Sequence, residues 1–308
     1  MCTSKDDSVL ISSKTGLKNG EDLSPRVAYD KVFVMTRVLA AVALMPILGS
    51  VDTAGAQERD PMLLLNNDGT TVRWHLQAGL NAVSEQDLFW DLAATTAPGS
   101  GFDPDTNWLE AYIKPGLSFE HQLETGAVFY GKLSAVSSYT AGTDAFDTGD
   151  TGATTLEEAY LAIRGDFGSG WSYDLSLGPR ELILGTGMLI ANGATSGFER
   201  GALKLGPRKA WEMAAIGRLS YGNITGTAFY LDPNELPSTD GNNEMTGFDL
   251  RYDDSAGGYL GATFVDVLNS DSPYPQAAPG GIGPPTVTPG AREDTRLSLI
   301  HISEPTRL

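Results

Sequence analysis

The sequence predicts an all-β protein: an antiparallel up-and-down transmembrane β-barrel, with roughly nine to ten strands present. Three observations lead there. Apolar and polar residues alternate with period 2 between residues 57 and 296, the spacing of side chains on opposite faces of a strand. Short and long connections alternate along the chain. Many strands pair an apolar face with a polar face that carries a cation.

The strands follow in order. In 72–82, Val72, Trp74, Leu76, Ala78 and Leu80 oppose Arg73, His75, Gln77 and Asn81. In 108–120, Leu109, Ala111, Ile113, Leu117 and Phe119 oppose Glu110, Tyr112, Lys114, Ser118 and Glu120. In 125–138, Ala127, Phe129, Leu133 and Ala135 oppose Tyr130, Lys132 and Ser134. In 156–166, Ala159, Leu161 and Ile163 oppose Glu158, Arg164 and Asp166. Further strands are expected at 171–180, 182–190, 211–221, 224–231, 245–253 and 259–268. Gly178-Pro179 marks a kink if 171–190 is one long strand, because Pro donates nothing to a ladder.

Between these strands, the links around 122–124, 168–170, 222–223 and 255–257 are short. Those at 83–107, 139–155, 191–210, 232–244 and 269–294 are long and polar or rich in Gly and Pro. A meander with this rhythm gathers its short turns at one end, as bacterial outer-membrane barrels do. A soluble β-sandwich also alternates. The barrel is favoured by the rhythm and by aromatics near strand ends (Trp108, Phe119, Trp171, Tyr173, Trp211, Tyr221 and Tyr252), which suit interfacial girdles.

Composition excludes other classes. With 39 Asp+Glu against 21 Lys+Arg, the chain carries a formal charge of −18 and lacks the basic surface that nucleic acid requires. No apolar run of helix-spanning length lies outside the N-terminal region, which excludes a helical polytopic membrane protein. Cys2 is the one cysteine, so neither a disulfide framework nor a Cys-based zinc site is available.

Both ends are expected to lie outside the barrel. Met35 to Ser50, MTRVLAAVALMPILGS, begins with a basic n-region and a short apolar run, and Ala54-Gly55-Ala56 follows as a cleavage site. Residues 35–56 thus read as a signal peptide, with Gln57 the mature N-terminus and 1–34 a non-native upstream extension. Cleavage there removes Cys2. Residues 297–307, LSLIHISEPTR, resemble the in-frame translation of a transposase sequencing adapter, so 297–308 is read as an artefact tail. The barrel portion is then 57–296.

Two stretches carry a family resemblance: Leu175 to Gly193, LSLGPRELILGTGMLIANG, and Leu205 to Pro237, LGPRKAWEMAAIGRLSYGNITGTAFYLDPNELP. They resemble the alginate-export type of outer-membrane porins, in which a Gly-Arg-Gln-Glu-like strand precedes a GxxLIxxG segment. A basic-Trp strand and an FYLDP strand end follow. Gly178-Pro179-Arg180-Glu181 departs from that pattern at Pro179. The resemblance implies a channel for small or acidic solutes, acidic sugars or oligosaccharides such as alginate among them, although relatives pass other solutes. It also implies a closed barrel of many more strands, of which only about the first half is present here.

The polar face supplies the candidate pore-lining residues Arg73, Lys114, Lys132, Arg164, Arg180, Arg218 and Arg251; Glu181, next to Arg180, is counted with them as a candidate. Arg180 and Arg218 stand out because they lie in the segments that carry the resemblance. Basic residues in a pore attract anions, and Arg offers a planar fork to carboxylates. The competing reading is that each cation pairs with a carboxylate of the same face, drawn from Glu110, Glu120, Glu158, Asp166, Asp174, Glu212 and Asp249. Arg200, Lys204, Arg208 and Lys209 cluster in one long link. That link is read either as folded toward the channel mouth, as a lipopolysaccharide contact, or as a solvated basic loop.

Catalysis has little support: His75 and His121 lie on a polar face and beside a short turn, and no GxSxG elbow is present. Asp144, Asp147 and Asp150 are a weak Ca²⁺ candidate: their spacing is not that of an EF-hand, and a solvated acidic loop is the favoured reading. No cofactor and no enzymatic activity are expected. The expected partners are outer-membrane lipid and lipopolysaccharide, a small anionic or sugar-like solute, and the periplasmic chaperones and barrel-assembly machinery. A secreted carbohydrate-active or carbohydrate-binding β-protein is the alternative, and it needs a paired carboxylate site.

Overall fold

The computed structural model describes residues 61–96, 99–146, 148–278, 286–288, 290 and 292–303. Contacts divide the chain into 1–59 and 60–308, and every described residue belongs to the second unit. The expected upstream extension, the signal peptide, Gln57 and Asp147 lie outside the described residues.

Ten strands follow one another as an antiparallel meander, each bonded to the next. They are β1 (Leu63–Asn67), β2 (Thr70–Glu85), β3 (Thr106–Gln122), β4 (Val128–Thr143), β5 (Gly149–Gly168), β6 (Trp171–Leu177), β7 (Met213–Tyr221), β8 (Ile224–Asp232), β9 (Glu244–Asp253) and β10 (Tyr259–Asn269). A separate two-stranded ribbon joins β11 (Tyr274–Gln276) to β12 (Thr286–Thr288). Strand β13 (Arg296–Ser303) pairs with β10 as the eleventh strand of the main sheet. The sheet is not closed; β1 and β13 are its edges.

The expected tail therefore contributes an edge strand rather than lying off the fold. Such pairing uses main-chain groups, which every segment possesses, so it is indifferent to the origin of residues 297–307.

The short turns 68–69, 123–127, 169–170, 222–223 and 254–258 lie at one end of the sheet, and the remaining links lie at the other. One expectation is corrected: the link read as 139–155 shrinks to 144–148, because β4 and β5 extend toward each other. Its Gly content reflects packing between strands. At Gly152 a Cβ would stand 2.5 Å from the Ser138 carbonyl oxygen, so only glycine fits the ladder there. Strands β2 to β5 reach 16, 17, 16 and 20 residues, longer than the expected segments 72–82, 108–120, 125–138 and 156–166.

A second correction concerns 182–190, which is not a strand. Gly178 adopts φ +115°, a conformation closed to side-chain-bearing residues, and Pro179 follows. Together they end β6 at Leu177. The ladder lingers in Ala159 N–H to Pro179 O (3.0 Å) and in the bridge of Arg180 with Trp211. Residues 178–212 then run across one face of the sheet.

The two faces differ in an unusual sense. The bare face carries exposed Leu80, Leu117, Leu133, Leu161, Leu175, Leu219, Phe248 and Leu250. At its short-turn end Trp171 pairs across the strands with Tyr221, and Ile224 with Tyr252. The covered face buries charge: Glu110, Lys114, Glu157, Glu158 and Asp249. Its long-link part over β7–β10 is apolar instead. There Ala214, Ile216, Phe229, Leu231 and Val265 receive Leu182, Leu184 and Ile190 of the crossing segment, with Trp211.

Candidate functional site

The site is the covered face with the segment 178–212 seated on it. Four buried charged side chains fasten that segment. Glu110 is fully buried, and its carboxylate accepts the main-chain N–H groups of Lys204 (2.9 and 3.0 Å) and Leu205 (2.8 Å), and the Trp108 indole N–H at 2.7 Å. Glu157 Oε1 accepts the N–H of Lys209 at 2.7 Å and of Ala210 at 3.2 Å. Hydrogen bonds to ionised acceptors are the strong ones, and they settle the segment's main-chain donors.

Arg208 and Arg200 work from the segment side. Arg208, 0 % exposed, donates Nε–H to Thr155 Oγ1 (2.8 Å), Nη1–H to Ser138 Oγ (2.8 Å) and Nη2–H to the Ala153 carbonyl (2.9 Å). Burial, reinforced by nearby Arg200 and opposed by Glu157, pushes its pKa down to about 10. The guanidinium is still charged at neutral pH. Arg200 donates to the carbonyls of Thr195 and Asn234 and to Asn234 Oδ1, tying the segment to link 233–243. Its pKa is lowered by burial, against the pull of Glu199, Glu212 and Glu157. Of the three sequence readings of this basic link, the solvated loop is excluded for Arg200 and Arg208, which are buried.

A β-bulge builds one anchor. Ser134 pairs with Glu158 but Ala135 pairs with Leu156, so Glu157 is the extra residue. Both glutamates then point to the covered face, and both are buried. Strict alternation had assigned only Glu158 there. The signal was present in the change of apolar parity from Leu156 to Ala159, Leu161 and Ile163.

Every sequence-predicted cation lies on the covered face or over it, but most are paired. Lys114 Nζ sits 3.1 Å from Glu157 and 2.9 Å from Glu181. Lys132 meets Glu158 at 2.6 Å, Arg164 meets Glu120 at 3.1 Å, and Arg251 meets Asp253 at 2.6 Å. Arg73 is engaged as well. Arg180 and Arg218 differ, since neither forms an ion pair among the described residues. Arg180 stacks on the Tyr160 ring, 4.5 Å from its centroid, lies 5.8 Å from that of Tyr130, and reaches the Tyr130 hydroxyl at 3.5 Å. Arg218 lies opposite Asp174 on β6 and Thr227 on β8.

The remaining candidates are placed plainly. His75 Nε2 lies 2.7 Å from Ser118 Oγ, and no described carboxylate is within ion-pair distance of the ring. His121 Nδ1 bonds Thr70. Asp144 is buried rather than solvated, and its Oδ1 caps the turn by accepting the N–H groups of Phe146 (2.9 Å) and Thr148 (3.1 Å). Asp150 is exposed, and no metal-binding group of three is found among the described residues. The Ca²⁺ reading gains no support.

No protein-family model matches the chain, and no characterised protein matches it significantly.

Proposed function

We propose that the chain forms wall and constriction of an outer-membrane porin that passes small or acidic solutes, acidic sugars among them, by diffusion. The observation that carries this reading is the inverted polarity of the sheet. Leu133 is 54 % exposed on one face while its neighbour Lys132 turns to the other and meets the buried Glu158. A water-soluble sheet hides the first face and exposes the second, whereas a barrel in lipid does the reverse. The short-turn end is the periplasmic end in this reading, and the row of Trp171, Tyr221 and Tyr252 is its interfacial girdle.

The segment 178–212 is then a fixed constriction. It is held by polar anchors and an apolar base, so solute passes beside it, along the short-turn part of the β2–β6 face, where Arg180 of the segment lies over Tyr160. The open edges β1 and β13 need partners in lipid, where unpaired backbone groups are costly. Further strands must complete the ring. The 57–296 portion expressed alone is accordingly expected to aggregate rather than give uniform channels.

The test is fractionation of the natural gene product. It should sediment with outer membranes and migrate faster on a gel unheated than boiled. Recovery as a soluble periplasmic or secreted protein would overturn the reading in favour of the carbohydrate-binding alternative.

A further inference from the structure

Asp174 is the unusual group on the covered face. It has an arginine opposite it on each neighbouring strand, Arg164 on β5 and Arg218 on β7, and it forms an ion pair with neither. Cross-strand neighbours of opposite charge are well placed to pair. Instead the Tyr130 hydroxyl lies 2.6 and 2.8 Å from the two Asp174 carboxylate oxygens, its one proton directed at both. Tyr130 belongs to β4, two strands away. It reaches Asp174 across β5 because its own cross-strand neighbour is the small Ala162. Arg164 is meanwhile drawn off to Glu120.

We infer that Tyr130 is a positioning residue: by occupying Asp174 it withholds that carboxylate from Arg218 and leaves a guanidinium free to receive an anionic solute. This inference rests on the porin reading for its consequence, not for its geometry. The chain of contacts runs from Arg180 N–H to the Tyr130 oxygen and from the Tyr130 hydroxyl to Asp174. One tyrosine thereby serves both unpaired arginines. It helps orient Arg180 and keeps Arg218 available. The ligand class is a carboxylate or another oxyanion, because a guanidinium presents a fork of N–H donors matched to two oxygens.

Tyr130→Phe keeps the ring and removes the hydroxyl. Asp174 is then released to Arg218, and a partly exposed pair of this kind shifts an equilibrium about twofold to fivefold. Two measurements separate the geometry from the function. The first is the rate of phenylglyoxal modification at Arg218 in the folded, detergent-solubilised natural protein, read by peptide mass spectrometry. Tyr130→Phe should slow it about twofold or more, and the double variant Tyr130→Phe with Asp174→Asn should restore it. The second is the reversal potential in a potassium chloride gradient. Tyr130→Phe should lower anion preference, and the added Asp174→Asn should raise it above wild type.

An Arg218 rate indifferent to Tyr130→Phe overturns the inference, as does a slowed rate that Asp174→Asn fails to rescue. Heat-modifiable migration of each variant guards against misfolding. Wild-type protein without channel activity would instead sink the porin reading, while the modification rates still decide the role of Tyr130.

Discussion

Glu157 Oε1 accepts the main-chain N–H of Lys209 at 2.7 Å while lying 3.1 Å from Lys114 Nζ. One buried carboxylate thus joins the sheet to the segment laid over it. The bulge that turns Glu157 inward is what makes the junction.

Removing that carboxylate should loosen the segment without dissolving the sheet. Glu157→Ala leaves Lys114 with only the half-exposed Glu181 and strips acceptors from two amides. The expected cost is about 3 kcal/mol. Hydrogen exchange at Lys209 and Ala210 should accelerate while the β2–β3 ladder keeps its protection. Equal protection in both variants would show that the apolar base alone holds the segment.

Arg208→Met tests the same attachment from the other side. It leaves Thr155, Ser138 and the Ala153 carbonyl without their donor. Ser138 keeps its bond to the Arg200 carbonyl, and each acceptor that stays buried without a donor costs about 1–3 kcal/mol. Proteinase K should then cut within 178–212, and single-channel conductance should become larger and noisier. An uncut chain with wild-type conductance would count against a constriction held by Arg208.

The bare face offers a test of its solvent. Leu133→Arg places a charge among the exposed apolar residues. In lipid it should cost about 2–4 kcal/mol near the midplane, seen as a lower urea midpoint for refolding into vesicles. In a water-soluble sheet the same change is close to neutral. A midpoint that does not move would argue for water on that face.

Replacing Arg180 and Arg218 together by Gln keeps hydrogen-bonding capacity and removes two charges. The reversal potential should shift toward cation preference, and the shift should shrink as salt screens the field. Neither side chain faces the bare side, so assembly should be intact. The same reversal potential in both proteins would move the selectivity determinant elsewhere on the covered face.

Export provides the last expectation. From the n-region, apolar run and Ala54-Gly55-Ala56 order we expect the processed N-terminus at or next to Gln57, and deletion of 1–34 should leave export unchanged. N-terminal sequencing of the membrane form decides it. A mature chain beginning before Met35 would refute the assignment.

Much of the sheet was legible because a strand's two faces are written at period 2. The parity of Arg218, Lys114 and Lys132 followed from that rule, and the gathering of short turns at one end followed from the alternation of short and long links. It failed where the backbone leaves the rule. The bulge at Glu157 shifts parity by one residue, and Gly178-Pro179 converts an apparent strand into a crossing segment. The long β4 and β5 were masked by Gly and Thr, which read as loop until Gly152 is seen pressed against the Ser138 carbonyl.

Alternation in the sequence by itself determined a meander with one apolar and one charged face, since local periodicity needs no knowledge of distant residues. Only the tertiary structure decided which charges are spent. Whether Arg164 pairs with Glu120, forty-four positions away, or Asp174 with Tyr130, likewise forty-four away, depends on strand register and on the room that Ala162 leaves. Spacing along the chain carries neither. The same holds for Glu110 and Glu157, whose acceptors are filled by amides of a segment that folds back across the sheet.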